Sequence, residues 1–289
     1  MSRLERLVRV SLRVAGVQSR FVDTTIARHH VYDGRGRGEL PTMVLLHGLA
    51  DSAATSVLLL PHLLAKARRV LILEAAGHGL SGPLRGEYTI SRHLASMTAA
   101  LDMLLDQPAV LVGNSLGGAT ALHYAQLQPH RIPGLFLTSP GGAPCDAETA
   151  ALLRAAFTLR TIPEARAFVE RVHARRPALA PVLARIMRER GASPAVADIL
   201  RTLDCEHVTA EALARLSMPV MLVWGRSERL LPRHALDYFR THLPPHATIV
   251  EPDGFGHCPH LDDPLRLARA ITAFARSTRS GRPPVASRA

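Results

Sequence analysis

Six short apolar runs punctuate the chain: 43–48 (MVLLHG), 69–75 (RVLILEA), 109–114 (AVLVGN), 134–139 (GLFLTS), 219–225 (PVMLVWG) and 247–254 (ATIVEPDG). Most are dense in Val, Leu and Ile and lack strict polar alternation, so they read as strands buried on both faces of a parallel sheet. Helical patterns lie between them, at about 91–106, 116–128, 233–243 and 263–277. Strand then helix, repeated, predicts an α/β fold on a mostly parallel, doubly wound sheet. The earlier stretch 21–33 (FVDTTIARHHVYD) fits an antiparallel hairpin at one edge.

The rhythm breaks between 143 and 216, where no strand-like run occurs and four stretches carry helical patterns. Thr161 with Glu164 forms a capping box, and Pro194 follows Ser193 as the first residue of a helix often does. An all-helical insertion between two strands predicts a cap over one edge of the sheet. The expected division is an N-terminal basic helix or arm (1–20), a core (21–142 and 217–276), the cap (143–216) and a disordered, polar, Pro-bearing tail (277–289).

With 289 residues, 47% of them hydrophobic, the chain can bury a large core. Cys145, Cys205 and Cys258 are scattered and show no C-x-x-C spacing, which argues against a disulfide framework or a zinc site and for a reducing, cytoplasmic setting. No apolar run approaches a transmembrane length. The net charge of +11 changes meaning once located: residues 1–38 carry +5, residues 266–289 carry +6, and 39–265 is neutral. The excess sits at the two ends and says little about a ligand bound in the middle. With aromatics at 4%, nucleic-acid binding is not expected. At the N-terminus Leu4, Leu7, Val8 and Leu12 fall near one helical face with arginines elsewhere. That pattern fits a helix docked on the body or a frayed arm, with weak contact to a membrane surface as the alternative.

Functional groups in a parallel sheet collect in loops at the C-terminal ends of strands. Four such loops carry suitable chemistry. HGLADS after 43–47 can turn the Leu49 N–H toward an oxyanion. GNSLGG places Ser115 at a tight strand-to-helix turn, where Gly113, Gly117 and Gly118 meet the steric demand and the Leu116 N–H opens a helix. WGRSERLLP (224–232) offers Glu228, and GFGHCPHLDDP (254–264) offers His257 and His260. A lone G-x-S-x-G arises by chance in about 5–10% of chains this long, so it decides nothing alone. A serine hydroxyl needs a base, and that base an acid to fix its tautomer. The order Ser115, Glu228, His257 meets that need. Asp253 competes as the acid and His260 as the base. Asn114 is expected to support the elbow, and His47 and His78 to have structural roles in their loops. Cys258 fits either the pocket wall or a buried inert thiol.

Taken together, strand-HG, GHGLSG (77–82), GNSLGG, WGRSERLLP and GHCPHLDDP are similar in order and spacing to the α/β-hydrolase superfamily, over roughly residues 21–276. The resemblance implies Ser115 as nucleophile, His257 as base and Glu228 at the acid position, more often Asp. It also implies oxyanion donors at Leu49 and Leu116, a helical cap and no cofactor or metal. Ser rather than Asp at 115 speaks against dehalogenase and epoxide-hydrolase chemistry. The expected activity is cleavage of a small-molecule carboxylic ester or thioester through an acyl-enzyme, by a monomer or homodimer. GNSLGGATALHYAQLQPHRI with SPGGA also resembles carbon–carbon bond hydrolases of meta-cleavage products. The HGLADSAAT loop and Cys258 depart from that pattern. A cofactor-free haloperoxidase or perhydrolase could use the same triad, and a non-catalytic ligand-binding member of the fold is the alternative of another class.

Overall fold

The computed structural model describes residues 3–14, 16–203 and 207–280. Its elements run α1 (Arg3–Val14), β1 (Gln18–Asp23), β2 (Arg28–Arg35), β3 (Thr42–Leu46), α2 (Leu60–Leu64), β4 (Arg69–Leu73), α3 (Ile90–Leu104), β5 (Ala109–Asn114), α4 (Leu116–Leu127) and β6 (Leu135–Thr138). Then come α5 (Ala147–Ala156), α6 (Ile162–Val172), α7 (Ala180–Gly191), α8 (Pro194–Arg201), α9 (Ala210–Ala214), β7 (Val220–Val223), α10 (Arg233–His242), β8 (Thr248–Val250), α11 (Pro259–Asp262) and α12 (Pro264–Ser280).

The strands form one sheet in the order β1-β2-β4-β3-β5-β6-β7-β8. β1 and β2 make the antiparallel edge hairpin, which starts at Gln18 rather than at 21, and every pairing from β4 to β8 is parallel. Successive residues alternate between two cores, as strand geometry requires. Met43 and Leu45 face a layer with Leu60, Leu63, Leu267, Ile271 and Phe274 from α2 and α12. Val44 and Leu46 face the other, with Met97, Leu101, Leu122 and Phe239 from α3, α4 and α10. Both faces are covered, which is why these strands read as unbroken apolar runs.

Among the described residues, the insertion between β6 and β7 holds five helices and no strand. Its capping box at Thr161 and Glu164 is formed, and Pro194 opens α8. Phe157, Phe168, Val172 and Leu200 pack onto Ala50 and Leu230 of the strand-end loops, so the helices lie over the C-terminal ends of the strands. Two elements depart from expectation. The short helix α2 follows no clear hydropathy period. α12 runs to Ser280, into the stretch expected to be disordered, because Phe274 and Ala275 anchor it in the core; residues 281–289 lie outside the described residues.

Candidate active site

Ser115 follows β5 directly and caps α4 with φ 53° and ψ −119°, a conformation costly for a residue with a Cβ. Its surroundings hold it there. A Cβ on Gly113 would lie 2.4 Å from the Gly117 carbonyl oxygen, and one on Gly117 would lie 2.1 Å from that of Leu46. Only bare backbone fits, so the strand and helix close to contact. The Ser115 carbonyl accepts from the Gly118 and Gly141 N–H groups, both at 2.8 Å. Among the described residues two other non-glycine residues share a positive φ, Ala50 and Ser139, and both sit in neighbouring strand-end loops.

Glu228 and His257 meet in the interior. His257 Nδ1 lies 2.8 Å from Glu228 Oε2, and the two side chains are 5% and 2% exposed. Glu228 Oε1 accepts from the Leu230 and Leu231 N–H groups at 2.7 and 3.0 Å, so the longer glutamate arm is folded back and fixed by its own loop. Burial alone would raise the Glu228 pKa. The facing His257, by charge and by hydrogen bond, overrides it and holds the carboxyl at about 2. The His257 carbonyl accepts from Asn114 Nδ2 at 2.9 Å, and that amide also reaches Thr138. The residue before Ser115 therefore ties the histidine loop to the elbow. Cys258 N donates to the Val172 carbonyl, and Asp262 binds the N–H groups of Ala174 and Gly256, pinning the same loop to the end of α6.

The other expected residues fall as follows. Leu49 and Leu116 line a cavity together with Ser115. Asp253 is 82% exposed and paired with Arg226, not with His257. His260 turns to Asp51, 3.6 Å away. His47 Nε2 accepts from the Ala75 N–H and His78 Nε2 accepts from the Ala50 N–H, so both brace the Leu49 loop. Burial, then the nearby His47, lowers the His78 pKa to about 4, which keeps it neutral and able to accept. Burial pushes the Cys258 thiol up, and that residue packs with the insertion rather than lining the cavity.

Sequence reasoning missed two supports. Glu74, at the end of β4, accepts from Ala53 N, Leu80 N and His30 Nδ1. Asp51 accepts from Ser52 N, Thr55 Oγ1 and the Arg190 guanidinium of α7. Burial opposes charge on Asp51, but His260 and Arg190 hold its carboxyl well below the usual range. A buried acid after a β-strand is a usable signal for Glu74; Arg190 is one arginine among many.

The cavity measures about 550 Å³ and runs from Ser115 between α3, α4 and the inserted helices. Leu94, Leu153, Phe157, Ile199 and Leu230 form much of its wall, and among the described residues lining it none is Asp, Glu, Lys or Arg. Among the described residues no group of three or more His, Cys, Asp and Glu is placed to hold a metal ion, and no helix is long and apolar enough to cross a membrane.

Comparison with known proteins agrees with this architecture. The family model for the alpha/beta hydrolase fold matches residues 41–167. A pimeloyl-[acyl-carrier protein] methyl ester esterase of Aromatoleum aromaticum is 31% identical over 264 residues, 82% of this chain and 98% of that one. The crystal structure of a membrane phospholipase A, a bacterial virulence factor, superposes with TM-score 0.83 at 23% identity over 96% of this chain and 91% of that one. The 2-hydroxy-6-oxo-6-phenylhexa-2,4-dienoate hydrolase of a Rhodococcus strain superposes with TM-score 0.78 at 21% identity, covering 90% and 99%. The chain belongs to the α/β-hydrolase-fold family and is a hydrolase of that fold.

Proposed function

We propose that the protein hydrolyses neutral carboxylic esters with an apolar acyl or alcohol part, through an acyl-enzyme on Ser115. The observation that carries this reading is the buried His257–Glu228 pair at 2.8 Å, tied by Asn114 to a strained serine elbow. Glu228 keeps the Nδ1 proton on His257, so Nε2 is the basic nitrogen. It takes the Ser115 Oγ proton as the oxygen bonds to the ester carbonyl carbon. The Leu49 and Leu116 N–H groups stabilise the oxyanion that develops. His257 returns the proton to the leaving alcohol, then takes one from water as its oxygen attacks the acyl carbon, and passes that proton to Ser115 Oγ as the acid is released.

The cavity is in keeping with a neutral substrate: its described lining includes His123, His207 and His234 but no Lys or Arg, the permanent cations that an anionic dienoate would call for. The methyl ester named for the Aromatoleum relative is in keeping with ester chemistry. The test is hydrolysis of a p-nitrophenyl ester and labelling by a fluorophosphonate. Wild type should turn over and label, and Ser115→Ala should do neither. Equal turnover by both proteins sinks the reading, and so does a wild type that neither turns over nor labels. A 2-hydroxy-6-oxodienoate cleaved faster than any short ester would move it to carbon–carbon chemistry.

A further inference from the structure

Among the described residues, α1 and α12 pack on the same side of the sheet. α1 docks by Leu12, and Leu12 and Val17 belong to the same core cluster as Leu267, Ile271 and Phe274 of α12. The turn after α1 abuts the end of β2, where a Cβ on Gly34 would meet Leu64 at 3.0 Å and Val17 at 3.5 Å. The chain then runs through a corner closed by backbone bonds from Arg37 N to Leu64 O and from Leu40 N to Lys66 O. α12 joins the same corner through Arg279, which donates to the Glu39 carbonyl.

Arg35, Arg37, Lys66, Arg68, Arg276 and Arg279 are all exposed there, with Glu39 as an exposed acid 3.8 Å from Arg279. Beside the corner, α1 presents Val10 and Val14, 61% and 84% exposed, flanking exposed Arg13. Those six basic side chains outnumber the exposed acids beside them, Glu39 and Asp106, the second 3.2 Å from Arg69, so the corner is locally cationic. A basic helix with an outward apolar edge, next to a cluster of arginines, matches an anionic bilayer in both charge and apolarity. Double-stranded nucleic acid would match the charge but leave the valines without a partner.

We infer that the face formed by α1, the 35–40 and 64–68 loops and the end of α12 docks on an anionic phospholipid surface. The geometry leaves the active site free. The corner lies at the N-terminal ends of β3 and β4, whereas Ser115 follows the C-terminal end of the parallel β5. The basic corner and Ser115 thus stand at opposite ends of the parallel strands. Each exposed basic residue at such a surface is worth roughly fivefold in affinity, screened by salt.

The experiment is sedimentation of the full chain with vesicles of phosphatidylcholine alone and of phosphatidylcholine mixed with phosphatidylglycerol. The protein should pellet with the mixed vesicles, stay in solution with the neutral ones, and come off at high salt. Arg276→Glu/Arg279→Glu and Val10→Asp/Val14→Asp should each weaken binding by about tenfold or more while short-ester hydrolysis stays at the wild-type rate. No pelleting with the anionic vesicles overturns the proposal. So does wild-type binding by Val10→Asp/Val14→Asp, which would mean general polyanion attraction without insertion. A protein that binds vesicles but hydrolyses no ester would count against the esterase reading alone.

Discussion

The Arg190 guanidinium, at the end of α7, lies 3.2 Å from the Asp51 carboxylate on the loop after β3 and reaches the Ser52 hydroxyl at 2.7 Å. One side chain of the insertion thus grips the loop that carries Leu49 and the strained Ala50. Replacing it should loosen that loop without emptying the cavity. Arg190→Met should lower kcat by about tenfold with KM changed by less than about threefold. Stability should fall by about 1–3 kcal/mol, because Asp51 keeps its other partners and both side chains stay partly exposed. Asp51→Asn should do the same, and the double variant should be milder than the sum, as for groups in one network. Steady-state kinetics and urea unfolding check both; unchanged kcat would reduce the pair to a surface contact.

Glu228→Gln keeps the shape of the side chain but removes the charge that faces His257. Its kcat should fall by about 10³–10⁴-fold, because the amide no longer favours the imidazolium or the required tautomer. Asp253→Asn should leave turnover near wild type, since Asp253 sits in solvent against Arg226. The reverse pattern in a kinetic comparison would exchange the two roles.

Acid should destabilise the fold in two windows. His78 titrates at about 4 in the folded protein against 6.5 when free. As pH falls from 6.5 towards 4 the unfolded chain takes up the proton first, and roughly 3 kcal/mol drains away. Glu228 titrates at about 2 against 4.5. Its contribution is complete above 4.5 and is lost as pH falls towards 2. Urea midpoints should therefore drop between pH 7 and pH 4.5. His78→Gln, which can still accept from the Ala50 N–H but cannot titrate, should make that drop smaller, the remainder coming from His93, which burial holds lower still, at about 3. An unaltered pH dependence would show that His78 is not its source.

Ala119 lies one turn beyond Ser115 on α4 and lines the cavity. Ala119→Phe should fill that space and leave the elbow intact. Hydrolysis of an acetate ester should stay within a few fold of wild type, while an octanoate ester should lose about tenfold or more in kcat/KM. Equal losses on both esters would place the acyl chain elsewhere.

Local rules made much of this protein legible in its sequence. The buried strands announced themselves because a residue with neighbours on both faces must be apolar at every position. The elbow did so because the approach of Gly113 to Gly117 excludes any side chain, a constraint written within a few residues. Helix α2 was not legible, since a single turn carries no period. The acid facing His257 was left open between Glu228 and Asp253, both in loops of suitable position. Only the closure of β7 against β8 brings the first to 2.8 Å and leaves the second in solvent. Arg190 and Asp51 are 139 residues apart, and no local pattern relates them. The charged ends of the chain were plain from composition, yet that α1 and α12 pack on the same side of the sheet is decided by the core they share. Sequence alone determines what sterics and periodicity impose on neighbouring residues. Which distant charges come to face one another is decided by the tertiary structure, because it sets both their separation and their access to water.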